Sequence, residues 1–222
     1  MIVSGNLAEA VKDFRYLLAR SYNRESAVRF VGDKYRLNLK ERYVLMRGVF
    51  NSAEAEITQT KLVKVSEVSG DKVSIDGYNV LITVESMLAK KPIVKCDDYV
   101  LRDISAIFGK HRITGRTIRA LRLILEDLKE YGAGEVHFLY DKQVSKSGLL
   151  ASTTRALITE FGLEGTASTT QKADVDTLRS GGIAVSSDTV IIQKAKRVLD
   201  LASEVANQLS YQNIIQLPPR TL

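Results

Sequence analysis

Apolar positions recur at helical spacing through the first fifty residues. In NLAEAVKDFRYLLARSY, Leu7, Ala10, Val11, Phe14, Leu17 and Leu18 follow an i, i+3, i+4, i+7 pattern. That pattern predicts an amphipathic helix with Lys12, Arg15 and Arg20 turned mostly outward. NRESAVRFVGDKY predicts a second short helix, stopped near Gly32. NLKERYVLMRGVF opens on Asn38 with Glu41 three residues later, a capping-box pattern for a third helix. Three short helices enclose too little core to stand alone, so this bundle leans on the rest of the chain.

The period changes between residues 55 and 65, dividing the chain into modules 1–58 and 59–222. TKLVKV alternates and is rich in β-branched residues, SGD punctuates, and KVSI reads as a strand. Strand and helix patterns then alternate. A helix over Val80–Ala89 precedes the strand KPIVKCDD. The basic stretch FGKHRITGR leads to the long helix RTIRALRLILEDLKEYG, ended by Gly132. EVHFLYD, GTASTT, IAVSSD and NIIQL read as strands; SGLLASTTRALITEFG, KADVDTLRSGG and IIQKAKRVLDLASEVANQL each read as one helix. Such alternation implies an α/β fold with a mostly parallel sheet and helices on both faces, preceded by the small helical module.

Composition narrows the class. Hydrophobic residues make up 45% and charged residues 26% of 222 positions, ordinary for a globular protein. No apolar run approaches the roughly 18–20 residues that span a bilayer, and the N-terminal residues lack a secretory pattern. Cys96 is the single cysteine, which excludes an intrachain disulfide and disfavours a thiolate zinc site. A cytoplasmic protein with no membrane partner is expected. The net charge of +6 is concentrated: residues 1–50 hold ten Lys/Arg against five Asp/Glu. A polyanion is the expected partner of that module, with Arg29, Lys34, Arg36 and Arg42 among the contacts. Tyr16, Tyr22, Tyr35 and Tyr43 interleave with those cations; they suit base stacking or half-buried packing.

The most informative pattern is where the acids fall. VSID, HFLYD and AVSSD end predicted strands on Asp76, Asp141 and Asp188. KADVD places Asp174 and Asp176 at a helix start. In a parallel sheet the carboxyl ends of the strands share one edge, where open α/β folds hold their sites. Carboxylates gathered there repel one another and resist desolvation, a cost that a hard, oxygen-preferring ion such as Mg²⁺ or Mn²⁺ relieves. Each Asp taken singly also has a local reading as a helix cap.

Other candidates sit around this set. GKHRITGRTIR gathers Lys110, His111, Arg112, Arg116 and Arg119 before a helix, as a phosphate contact or a plain basic loop. Lys142 and Lys146 follow Asp141 and suit substrate phosphates or solvent. Asp97, Asp98 and Asp103, read as following a strand and lying on the next helix, suit either a further member of the acidic rim or a helix start and an exposed face, the second reading being adequate. His137 reads as a packed strand residue, and Ser186 and Ser187 have no histidine placed to activate them.

SIDGYNVL resembles the first motif of the NYN branch of the PIN-like nuclease superfamily, in which Asp-Gly-x-Asn closes the first strand. FLYD resembles its second acidic strand end, KADVD its Ala-Asp-Asp motif and VSSD its closing Ser-Ser-Asp, over residues 70–215. The resemblance implies a Rossmann-like PIN/NYN three-layer sandwich. It implies an endoribonuclease that cleaves RNA phosphodiesters by metal-activated water. It assigns metal or water ligation to Asp76, Asp141, Asp174 and Asp188, and carboxylate orientation or phosphate contact to Asn79. DVD departs from the double Asp, displacing Asp176 by one position. The whole chain also resembles an archaeal family pairing a basic helical module with a PIN-like domain, a likeness of architecture and not of activity. The expected partner is RNA (tRNA, rRNA or the ribosome), with a homodimer compatible. A non-catalytic RNA- or ribosome-binding protein on the same scaffold is the alternative, and a phosphatase or nucleotide-binding enzyme the third.

Overall fold

A computed structural model describes residues 5–104 and 111–220. Four helices open the chain: α1 (Gly5–Ala19), α2 (Arg24–Lys34), α3 (Leu39–Gly48) and α4 (Ser52–Lys61). The box on α3 is formed, Asn38 accepting from the Glu41 N–H while Glu41 accepts from the Asn38 N–H. Helix α4 departs from expectation, since the pattern of TKLVKV predicts a strand from Thr60 onward. Asn51 and Glu54 make the same reciprocal cap, and that local signal overrides the β-branched run as far as Lys61. Helix α2 likewise runs past Gly32 to Lys34. A Cβ on Gly32 would sit 2.5 Å from Arg42 Nη1, so glycine there serves the packing of that guanidinium.

The remaining elements are β1 (Lys72–Asp76), α5 (Gly77–Leu88), β2 (Ile93–Lys95), β3 (Leu101–Asp103), α6 (Gly115–Glu130), β4 (Glu135–Asp141), α7 (Ser147–Glu160), β5 (Gly165–Thr170), α8 (Ala173–Ser180), β6 (Ile183–Val185), α9 (Thr189–Lys194), α10 (Leu201–Gln208) and β7 (Ile214–Gln216). Asp103 therefore ends a strand and does not lie on a helix. IIQKAKRVLDLASEVANQL is two helices and not one. Val198 bridges in parallel to both Leu62 and Ala184, and Asp200 accepts from the Ser203 N–H to start α10 afresh.

The main sheet has the order β5-β4-β1-β6, with every pairing parallel. Alternate residues Val73, Ile75, Val136, Phe138, Tyr140, Ile183 and Val185 join one core with α5, α6, α7 and α10. On the opposite face Ala184 packs with Ile191 and Ile192 of α9, and His137 bonds Ser180 of α8 at 2.8 Å. The chain builds outward from β1 through β4 to β5 and then returns to the other side of β1 as β6. The crevice between β1 and β6 is the switch point of the fold.

A second sheet, order β3-β2-β7, pairs β2 antiparallel with β3 and parallel with β7. It completes the core of the helical module: Val11, Phe14, Val31 and Leu45 pack with Val94, Cys96, Ile104 and Ile215. Burial pushes the Cys96 thiol up to about 12, consistent with a small core residue. Arg15 grips Asp97 through Nε at 2.9 Å and Nη2 at 2.6 Å, and Arg47 donates to Asp103 at 2.8 Å. Arg102 forks onto Asp98 with two 2.7 Å bonds while both side chains are 1% exposed, so neither charge is buried alone. The third arm of Arg102 donates to the Ser187 carbonyl at 2.7 Å, steadying the turn after β6.

Candidate acidic site at the sheet edge

A cavity of about 260 Å³ opens at the carboxyl ends of β1, β4 and β6, and Asp76, Asp141, Asp174 and Asp188 all line it. Asn79 and His111 join them, with Tyr78, Ile82, Val144 and Val190 forming an apolar side.

Asp76 sits deepest. It is 6% exposed, and although its backbone precedes α5, its side chain does not cap that helix. Instead Oδ2 accepts from Asn79 Nδ2 at 2.6 Å and from Ser186 Oγ at 2.9 Å. Burial pushes its carboxyl up to about 6; the two side-chain hydrogen bonds oppose that rise and the Asp188 charge adds to it. Among the described residues no cation pairs with it. Gly77 follows because α5 starts against a ring: a Cβ there would lie 2.3 Å from Tyr140.

Asp188 combines both sequence readings. Its Oδ1 caps α9, accepting from the N–H groups of Val190 (2.8 Å) and Ile191 (3.2 Å), while the residue also lines the cavity. Asp141 accepts from the Gln143 N–H at 3.0 Å. Burial, aided by the Asp141 charge, pushes the Tyr78 hydroxyl up to about 12. Asp174 is exposed on the first turn of α8. Asp176 is turned elsewhere: it accepts from Thr170 Oγ1, lies 3.7 Å from Arg179, and is not among the residues lining the cavity.

The four acids share a cavity without closing on a point. Among the described residues no three His, Cys, Asp or Glu side chains approach as a common chelate. Strand register supplies the reason. Asp76 pairs with Leu139, so Asp141 stands two residues farther along β4. Ile75 pairs with Val185, so Asp188 likewise follows β6 two residues past the level of Asp76. At about 3.3 Å per residue, Asp141 is set roughly 7 Å farther toward the rim along the strand.

Ser186 and Ser187 are orienting groups, not nucleophiles. The first holds Asp76, and the second donates to Asn79 Oδ1 at 3.2 Å. Nothing in their residue type foretold this; it follows from their place just past the end of β6, the strand beside β1. His111 enters the wall with Nε2 2.9 Å from Glu85 Oε2. Arg112, Arg116, Lys142 and Lys146 are exposed, and none lines the cavity; Lys110 lies outside the described residues. In the helical module Lys34 is paired with Asp13 at 2.6 Å, and Arg42 with Asp33 at 2.7 Å and the Leu37 carbonyl at 3.0 Å. Arg29 and Arg36 are exposed and carry no side-chain partner among the described residues. Asp97, Asp98 and Asp103 are all spent on ion pairs away from this edge.

Residues 65–204 match the family described as "Domain of unknown function (DUF5616)", and residues 6–61 the one described as "Protein of unknown function (DUF434)". No PIN or NYN family model matches the chain. The chain is 35% identical over 206 residues to "Uncharacterized protein MJ0935" of Methanocaldococcus jannaschii, covering 92% of this chain and 98% of that protein. No solved structure matches.

Proposed function

The chain belongs to the DUF5616 family, and on that premise we propose that it is a metal-dependent endoribonuclease built as a PIN/NYN-type sandwich. The observation that carries the reading is Asp76: a carboxylate buried at the end of a central strand, without a cation partner among the described residues, in one cavity with three further aspartates.

The donor set fits Mg²⁺ or Mn²⁺. The acids lining the cavity offer oxygen, and Asn79, Ser186 and Ser187 hold the deepest carboxylate in one orientation. Their stagger is wrong for a closed protein cage and right for Mg²⁺, which takes one or two carboxylates, keeps waters and shares substrate phosphates. When bound, such an ion supplies Lewis-acid polarisation of a phosphoryl oxygen and makes water acidic. Asp76 and Asp188 then flank the switch-point crevice, one at the end of β1 and one past the end of β6, with Asp141 and Asp174 lining the same cavity. Lys142, Lys146, Arg112 and Arg116 stand outside the cavity, where backbone phosphates of a long substrate pass. Arg29 and Arg36 extend that contact to the helical module.

The test is cleavage of a labelled single-stranded RNA by the full chain with Mn²⁺. Cleavage that a chelator and Asp76→Asn each abolish supports the reading; undiminished cleavage by that variant removes it. The second reading, RNA binding without turnover, draws on the open spacing of the carboxylates. It predicts salt-sensitive binding that Asp76→Asn leaves intact, with no cleavage by either protein.

A further inference from the structure

We propose that His111 is the general acid of this site, giving a proton to the oxygen that leaves when a phosphodiester is cut, with Glu85 and Thr117 as the residues that position it. The assignment rests on the nuclease reading and adds a group that the four aspartates cannot replace.

The acids lining the cavity are assigned to the cation and to taking a proton from water, which leaves the donor unassigned. An alkoxide leaving group needs a donor. Among the described residues lining the cavity, His111 is the one side chain able to carry positive charge. Tyr78 is the other candidate donor, but its hydroxyl is pushed too far up by burial to serve.

The imidazole is also built in. Its side chain is 5% exposed, and Nε2 meets Glu85 Oε2 at 2.9 Å. The other oxygen of Glu85 accepts from Thr117 Oγ1 at 2.5 Å, and Thr117 is fully buried on the first turn of α6. The Thr114 N–H donates to that same hydroxyl at 2.9 Å, so the carboxylate is held by a fixed group. The edge of the ring meets Tyr78 at 5.4 Å between centroids and 62° between planes. A carboxylate on Nε2 holds a hydrogen there and leaves Nδ1 as the nitrogen that can exchange a proton with a substrate. Histidine held by a carboxylate, itself held by a hydroxyl, is the arrangement expected of a positioned acid.

The step balances. Water adds to phosphorus, and its proton passes to a carboxylate of the rim. The P–O3′ bond breaks with its electron pair on O3′, and the Nδ1 proton of His111 moves to that oxygen. A 5′-phosphate and a 3′-hydroxyl result, and solvent returns the carboxylate's proton to the imidazole.

The experiment compares two linkages in one RNA sequence, the natural one and one in which sulfur replaces the bridging O3′. A thiolate leaves without protonation. With the full chain and Mn²⁺, His111→Asn should slow the natural linkage by about 10²–10³-fold and the sulfur linkage by less than about threefold. Glu85→Gln should show the same split at smaller size, and it carries the comparison if the histidine variant does not fold. Equal slowing of both linkages, or none of the natural one, overturns the assignment while leaving the nuclease reading standing. Failure of the unaltered chain to cut either linkage overturns both.

Discussion

Ser186 donates its hydroxyl to Asp76 Oδ2 at 2.9 Å across the seam between β6 and β1, although 110 positions separate the two residues. That bond and the one from Asn79 hold a carboxylate whose ionisation the fold resists.

Removing the charge should therefore relieve the fold. Asp76→Asn keeps an acceptor for Ser186 and is expected to melt at the same temperature as the parent or a few degrees higher at pH 7.5. Saturating Mn²⁺ should raise the melting temperature of the parent and leave the variant unmoved, since a ligand stabilises only the state that binds it. Thermal melts with and without metal read both effects; a shift of equal size in the two proteins would place the ion elsewhere.

The two acids of KADVD should separate. Asp174→Ala is expected to weaken Mn²⁺-dependent cleavage about tenfold or more. Asp176→Ala, which removes only the contacts to Thr170 and Arg179, should stay within about twofold. Steady-state rates on one RNA decide it, and the reverse order would mean that α8 presents its other face to substrate.

Charge in the helical module should divide the same way. Arg29→Ala with Arg36→Ala removes two exposed cations and should lower the slope of log K against log salt by about 1.4 for single-stranded RNA. Arg42→Ala breaks bonds to Asp33 and the Leu37 carbonyl, so its expected effect is a lower melting temperature with the slope little changed. Filter binding across a salt series measures the first, and melting the second.

A pH effect is expected far from the cavity. Asp127 on α6 is 2% exposed with Oδ2 lacking a hydrogen-bond partner among the described residues, and burial, then Glu130, Glu204 and Glu126, push its carboxyl up to about 7. The folded chain thus binds a proton that the unfolded chain gives up near pH 4. Its contribution to stability is complete below that value and is lost as pH rises through about 7. Asp127→Asn should gain at most about 4 kcal/mol over the parent at pH 8, less whatever solvent screening removes, and nothing at pH 4. Denaturant melts at the two values check the sign.

The strands that end on Asp76 and Asp141 were legible because a short apolar run followed by one acid and a helical period is a local pattern. So was α3, from its capping box. Strand β6 instead stops at Val185, and Asp188 caps the next helix three residues later. Helix α4 carries the same box at Asn51 and Glu54, but the β-branched run beyond it reads as a strand until the cap is noticed. Strand β3 hid because Leu101–Asp103 is three residues long and buries Arg102 and Asp103, charges that read as surface until their partners are known. The stagger of the aspartates is a matter of register between strands sixty and more residues apart, which periodicity along one strand does not contain. The basic excess of residues 1–50 was visible, but much of it turned out to serve internal pairs such as Arg15 with Asp97 and Arg47 with Asp103.

Strand β7 gives the molecule a timetable. Ile215 belongs to the same apolar cluster as Val11 and Phe14, and Arg15 donates to the carbonyls of Pro218 and Pro219 at 2.8 and 3.1 Å. On a ribosome, which makes about 5–20 residues per second, the first helix emerges some 10–40 seconds before the strand that seals it. The opening fifty residues must wait with an oily face unfinished until β7 has been translated.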